Sequence, residues 1–190
     1  MSEKLTHIAI FASGAGSNAH QIIRHFTGSA KAKISLIVCN KPGAGILQIA
    51  EKEHIPTLLI EKELFFQGDA YVPELQKKGI DLIILAGFLW KIPPALIRAY
   101  PDRIVNIHPA LLPKYGGKWM YGRHVHQAVI ENKEAVSGIS IHFVDELYDH
   151  GAVIFQASCP VLEGDTPESL AKRVQELEHD HFPKVIEGLL

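Results

Sequence analysis

Short apolar runs that end at Gly, Pro or Asn alternate with longer amphipathic stretches through the first 110 residues, and few folds accept that order. LTHIAIFAS (5–13), ISLIVCN (34–40), PTLLI (56–60), DLIILAG (81–87) and RIVNIHP (103–109) read as strands buried on both faces. Between them, 17–26 places Ile22, Ile23 and Phe26 at helical spacing. Stretches 45–54, about 69–78 and 93–100 also read as helices, the last opening on Pro93-Pro94, which suits a first helical turn. Strands alternating with helices imply a parallel sheet covered on both faces. Beyond 110 the pattern changes: 122–132 is helical, while 135–146 and 152–161 are strands joined by a short link, which favours an antiparallel pair. Thr166 and Pro167 then open a helix that runs to the C-terminus. The expectation is an α/β fold in one domain, 1–190: an open, mostly parallel sheet with antiparallel C-terminal strands and a long C-terminal helix. Its halves would divide at about 110, as 1–110 and 111–190.

With 47% hydrophobic residues, 190 residues can bury a substantial core without metals or disulfides. Cys39 and Cys159 lie in apolar runs and match no ligand spacing, so both read as buried free thiols, which fits a reducing cytoplasm. A formal net charge of −2 with scattered basic residues argues against a nucleic-acid surface. The apolar run near the N-terminus is too short for a membrane span or signal peptide. The chain is expected to be soluble and cytoplasmic, with no membrane or nucleic-acid partner, as a monomer or homodimer.

Three stretches carry polar groups where a core has no use for them. In 13-SGAGSN-18 the glycines permit a tight turn and close approach of a ligand. Ser17 and Asn18 then offer side chains and N–H groups at a helix start, a natural anion site. A capped Gly-rich turn without a ligand has the same residues. No Lys completes a Walker A loop, Ala19 stands at the third-Gly position of a dinucleotide fingerprint, and no acid closes the second strand. A mononucleotide or sugar phosphate therefore fits better than NAD. In 104-IVNIHPALLP-113, Asn106 and His108 are two apart on a strand and face one side, at the carboxyl end where open α/β sheets bind ligands. An Asn amide can donate to a carbonyl oxygen and an imidazole can move a proton; both can equally satisfy loop backbone groups. In 145-DELYDHG-151, Asp145, Glu146 and Asp149 are ordinary turn residues, or one of them meets His108; spacing does not choose which.

Other features have plainer readings. His124 and His126, like His179 and His181, point to different helix faces and do not suggest a metal site. Phe88 and Trp90 either line a flat pocket or pack the core. Glu176, Glu178 and Lys184 read as a solvated helix face.

SGAGSN, AGF at 86–88, NIHPALLP at 106–113 and YDHG at 148–151 come in the order found in the folate-dependent formyltransferases. The chain resembles, more closely, their glycinamide ribonucleotide (GAR) branch in purine biosynthesis, from Ile8 to the last helix. The resemblance implies a Rossmann-like fold of the formyltransferase type and transfer of a formyl group from 10-formyltetrahydrofolate, a co-substrate, to the amine of GAR, without a metal. It implies catalysis by Asn106, His108 and Asp149. GAR would be held by Gly14, Ala15, Gly16, Ser17, Asn18, Pro109 and Glu178. The folate would be held by Phe88, Leu89, Trp90, Ile92, Asn106, Val144, Asp145, Glu146 and Asp149.

The chain departs from that family at several points. Ala15 stands between the glycines where Asn is common, His150 stands where Gly is familiar, and Gln67-Gly68 replaces a basic residue. The segment 114-KYGGKWMYGRHVH-126 is several residues longer. Formyltetrahydrofolate deformylase would use the same three residues on water, but would carry a regulatory domain before the first strand. Methionyl-tRNA formyltransferase would need a basic C-terminal extension. A non-catalytic phosphate-binding module would use SGAGSN alone and leave Asn106, His108 and Asp149 idle.

Overall fold

The structure, a computed structural model, describes residues 4–190. Seven strands, β1 (Thr6–Ala12), β2 (Ala32–Cys39), β3 (Thr57–Leu59), β4 (Leu82–Leu85), β5 (Ile104–His108), β6 (Val136–Phe143) and β7 (Val153–Pro160), form one sheet in the order β3-β2-β1-β4-β5-β6-β7. Interspersed are helices α1 (Ser17–Phe26), α2 (Gly45–Lys52), α3 (Lys62–Phe66), α4 (Val72–Lys77), α5 (Pro94–Ala99), α6 (Arg123–Glu131) and α7 (Pro167–Glu187). Pairings β1–β2, β1–β4 and β2–β3 are parallel and β6–β7 is antiparallel, as the alternation and the short late link predict. The architecture is therefore the expected α/β sheet with antiparallel C-terminal strands and a long final helix. Helix α3 is the one element the sequence reading lacks. Five residues are too few to show a helical period, although its Phe65 is buried.

The chain divides into two compact units, one made of the chain up to Val105 with Ile186–Leu190, the other of Asn106–Val185, so the cut falls inside β5. In the first unit, β1, β2 and β4 are apolar almost throughout, and Ile8, Ile10, Leu36, Ile37, Ile83 and Ile84 are completely buried. Helix α1 adds Ile22, Ile23 and Phe26, the spacing that marks it as amphipathic. In the second unit, both faces of β6 are buried, with Ile139 and Ile141 on one parity and Gly138, Ser140 and His142 on the other. Polar groups on a doubly buried strand need partners, and theirs lead to the site below. Cys39 and Cys159 are buried free thiols. Among the described residues no helix is long and apolar enough to cross a membrane.

Candidate active site

The last residues of β5, the end of β6 and the 145–151 turn bring four side chains together inside the second unit. Asn106 Nδ2 donates to His142 Nε2 at 3.0 Å. His142 Nδ1 lies 2.8 Å from the Phe143 carbonyl, so Nδ1 carries the hydrogen and Nε2 is left as the acceptor. His108 Nδ1 is 3.5 Å from Asp149 Oδ2, and His142 Nε2 is 3.6 Å from Asp149 Oδ1. His108 Nε2 donates to the Tyr115 carbonyl at 2.7 Å. The Gly117 N–H donates to Asp149 Oδ2 at 2.9 Å. Of the three acids in the turn, the structure thus selects Asp149. Asp145 instead accepts from the Leu147 N–H and pairs with His150, each at 2.8 Å, and Glu146 is exposed.

Burial governs the charges here. His108 is 4% exposed and His142 2%. Desolvation is the largest influence on His108 and lowers its pKa. Asp149 and the Tyr115 carbonyl pull it up, His142 pushes it down, and the net value lies below the ordinary one. His108 is therefore neutral at pH 7, with its hydrogen on Nε2 and its lone pair on Nδ1. For Asp149, desolvation raises the pKa, but the His142 and His108 rings, which attract the carboxylate whenever either carries a proton toward it, and the Gly117 N–H outweigh it, so the carboxyl stays below its usual range and is ionised. A neutral imidazole, an anionic carboxylate and an amide donor share one recess, the equipment for proton transfer beside a developing oxyanion.

The backbone beyond β5 is fixed by a second buried network. Ser140 Oγ accepts from the Leu112 N–H at 2.9 Å and donates to the Ala110 carbonyl at 2.7 Å. Gln156 Nε2 donates to the Leu112 carbonyl at 3.0 Å and to Ser140 Oγ at 2.8 Å. Leu112-Pro113 is a cis peptide. The close approach of two segments sets the 145–151 turn, because a Cβ on Gly151 would run into the Phe143 carbonyl. Asp149 and Tyr115 both sit at left-handed backbone angles, φ 53 and φ 56, each costing about 1–3 kcal/mol that the surroundings must offset.

His142, Ser140, Gln156 and the backbone of Tyr115 and Gly117 were not among the residues the sequence pointed to. The signal for the first two was available: polar residues two apart, each flanked by apolar neighbours on a strand. Of the two histidines on α6, His124 is exposed and His126 buried, with no hydrogen-bond partner on its Nδ1. Pro109 is half-buried after His108, Val144 is half-buried before the turn, and Glu178 is half-buried on α7.

In the first unit, the loop expected to hold phosphate runs from the end of β1 to α1. Gly16, at φ 81, is the N-cap of α1 and makes no side-chain cap to it. Gly45 at the start of α2 lies so close that a Cβ there would be 3.1 Å from the Ala15 carbonyl, and the Ile46 N–H donates to the Gly14 carbonyl at 3.1 Å. Ser13 ties this loop to the next: its N–H donates to the Gly87 carbonyl at 3.1 Å, and its Oγ accepts from the Leu89 N–H at 3.0 Å. Phe88 packs edge-on against Phe11 and Phe65, and Trp90 lies 5.7 Å from Phe65. These rings build an aromatic cluster, while Ile92 is buried and Leu89 is 57% exposed.

Comparison with known proteins identifies the family of the chain. The pattern described as "Formyl transferase" matches residues 6–186. The chain belongs to the formyl transferase family. It is 43% identical over 185 residues to the chloroplastic phosphoribosylglycinamide formyltransferase of Arabidopsis thaliana, covering 94% of this chain and 63% of that one. It is 36% identical over 187 residues to phosphoribosylglycinamide formyltransferase of Bacillus subtilis, covering 96% and 93%. The crystal structure of phosphoribosylglycinamide formyltransferase from Bacillus halodurans superposes with a TM-score of 0.88 at 35% identity, over 97% of this chain and 95% of that one. The chain spans less than two thirds of the length of the two plant relatives, 63% and 60%.

Proposed function

We propose that the protein transfers the formyl group of 10-formyltetrahydrofolate to the amine of glycinamide ribonucleotide, giving formylglycinamide ribonucleotide and tetrahydrofolate. The observation that carries this reading is the meeting of Asn106, His108 and Asp149 within one buried recess of a formyl transferase chain. The amine nitrogen attacks the formyl carbon, and the carbonyl oxygen takes up the charge of the tetrahedral intermediate. Asn106 spends one amide hydrogen on His142 and donates the other to that oxygen. His108 supports it from the same side of β5 once Nδ1 has taken up a proton. Asp149, ionised, takes the proton lost by the amine, and His108 Nδ1 is the ring nitrogen left to exchange it, since Nε2–H is committed to Tyr115. The proton passes through water to the folate nitrogen as its bond to the formyl carbon breaks. Alignment and charge stabilisation each supply several kcal/mol, and this chemistry calls for neither a metal nor a covalent intermediate.

Gly14, Ala15, Gly16, Ser17 and Asn18 are assigned to the ribotide phosphate, supported by their place at the start of α1, whose N-cap is a glycine. Pro109 and Glu178 are assigned to the rest of GAR. Phe88, Leu89, Trp90 and Ile92, and separately Asn106, Val144, Asp145, Glu146 and Asp149, are assigned to the folate. Free thiols at Cys39 and Cys159 fit a reducing compartment, and the cytoplasm is taken as its location.

Folate deformylation followed with and without GAR tests the proposal. Turnover is expected only with GAR. Turnover without it would assign the chain to hydrolysis, and none in either case would refute an enzyme of this class. His108→Ala and Asp149→Ala are each expected to lose about 10²–10⁴-fold in kcat while remaining folded by circular dichroism. Near-normal rates in both would remove the assigned roles.

A further inference from the structure

The segment Lys114–Gly117 touches both members of the His108–Asp149 pair through its backbone, and it is held from outside by one carboxylate. Glu134, on the link between α6 and β6, accepts from the Tyr115 hydroxyl at 2.8 Å and from Lys114 Nζ at 2.9 Å on the same oxygen. Tyr115 stands at φ 56, where an L side chain is strained. In that conformation its carbonyl meets His108 Nε2 at 2.7 Å, and two residues later the Gly117 N–H meets Asp149 Oδ2 at 2.9 Å. Neither backbone contact would persist if Tyr115 relaxed to the ordinary region.

We propose that Tyr115 and Glu134 are positioning residues for the formyl-transfer reaction: their side-chain contact fixes the tautomer of His108 and the seat of Asp149 from outside the recess. The inference rests on the formyl-transfer reading of that pair.

The physical case follows from what faces His108. Asp149 approaches from the 145–151 turn, His142 from β6, His126 from α6, and the Tyr115 carbonyl from the 114–117 segment. The carboxylate and the carbonyl favour the imidazolium, whereas burial and the His142 imidazole oppose it. Of the two favourable groups, the carbonyl alone holds Nε2–H, and so assigns proton exchange to Nδ1, on the Asp149 side. Without the Glu134 contact the strained Tyr115 loses its outer tether. Nε2 then loses its acceptor, the hydrogen divides between the two ring nitrogens, and the imidazolium is disfavoured further.

The test combines ¹⁵N nuclear magnetic resonance of the His108 ring, read across pH, with steady-state kinetics on 10-formyltetrahydrofolate and GAR. In the wild type the neutral ring is expected as the Nε2–H form. Tyr115→Phe and Glu134→Ala should each mix the tautomers and lower the His108 titration midpoint. Each should reduce kcat by about tenfold, the weight of one buried hydrogen bond, with KM for both substrates little changed. The double variant should be no worse than the worse single one, and Glu134→Gln, which keeps an acceptor for the hydroxyl, should keep the wild-type titration. A His108 tautomer and midpoint unchanged in both Tyr115→Phe and Glu134→Ala would overturn the proposal; if one variant does not fold, the other decides. A wild type that titrates as expected but transfers no formyl group would count against the enzymatic reading and not against the anchor.

Discussion

At the residue scale, the arrangement turns on hydrogen atoms that the side chains assign to one another. His142 gives its Nδ1–H to its neighbour's carbonyl and thereby has only a lone pair to offer Asn106. That choice orients the amide, with Nδ2 held against β6 and the second hydrogen left for a ligand oxygen. His142→Phe keeps an apolar shape in the buried position but removes the acceptor. The cost of an unsatisfied buried donor, about 1–3 kcal/mol, predicts a kcat lower by roughly 5–150-fold. The check is kinetics beside thermal unfolding, together with the same change in Asn106→Ala. Once the amide is gone, His142→Phe should cost little more. A full additional loss in that background would show that His142 acts on something other than Asn106. A departure from the apparent relatives sits a few residues away, where His150 takes the place of a familiar Gly and pairs with Asp145 on the surface. Between partly exposed side chains, such a pair contributes little to stability.

Elements explain what could be read in advance and what could not. The parity of Asn106 and His108 on an apolar run was legible because a strand's alternation is a property of sequence alone. Spacing left Asp149 as one of three acids and only the family resemblance singled it out, since the choice depends on a turn in which Asp149 takes a left-handed angle and Gly151 admits the Phe143 carbonyl. Tyr115 and Gly117 act through a carbonyl and an amide that every residue except proline possesses, so no residue type announces them. Strand β6 shows a related constraint. Gly138 pairs with Ser158 on β7, and a Cβ there would collide with the Ala157 carbonyl and come within 2.8 Å of Leu111 Cδ2. Gly138→Ala must therefore push β7 or the 109–112 segment away, costing about 1–3 kcal/mol, a Tm lower by roughly 2–12 °C. Gly14→Ala, with nothing within 4 Å of the added Cβ, should leave Tm nearly unchanged. Calorimetry on the two variants checks the contrast, and equal shifts would mean the β6–β7 contact yields more readily than its geometry implies.

The whole molecule carries these buried imidazoles as a dependence of stability on pH. His108 and His126 both have pKa values lowered from the ordinary one, burial being the larger cause in each and their mutual repulsion adding to it for His126. The unfolded chain takes up these protons near pH 6.5, before the folded one can. Below that point the unfolded state binds more protons, so stability falls as pH falls. Asp149 and Asp165 act later and in the same direction. Each has its carboxyl pKa lowered, Asp165 by the Arg173 guanidinium, so their contribution is present above the unfolded carboxylate value and disappears as pH drops below it. The expected profile is a Tm level between about pH 7 and pH 8, declining below about pH 6.5 and again below about pH 4, with a separate alkaline decline where the unfolded Cys159, Tyr100 and Tyr115 give up protons that burial helps hold in the folded chain. His126 offers the cleanest check, because its Nδ1 is buried without a partner and so contributes a desolvation cost at every pH. In His126→Leu the ring whose charged form burial disfavours in the folded state is gone. That variant should match or exceed the wild-type Tm at pH 7.5, and its advantage should widen at pH 5.5, where the wild type is losing stability to the unfolded histidine. An advantage that stays the same at both pH values would place the acid sensitivity elsewhere in the molecule.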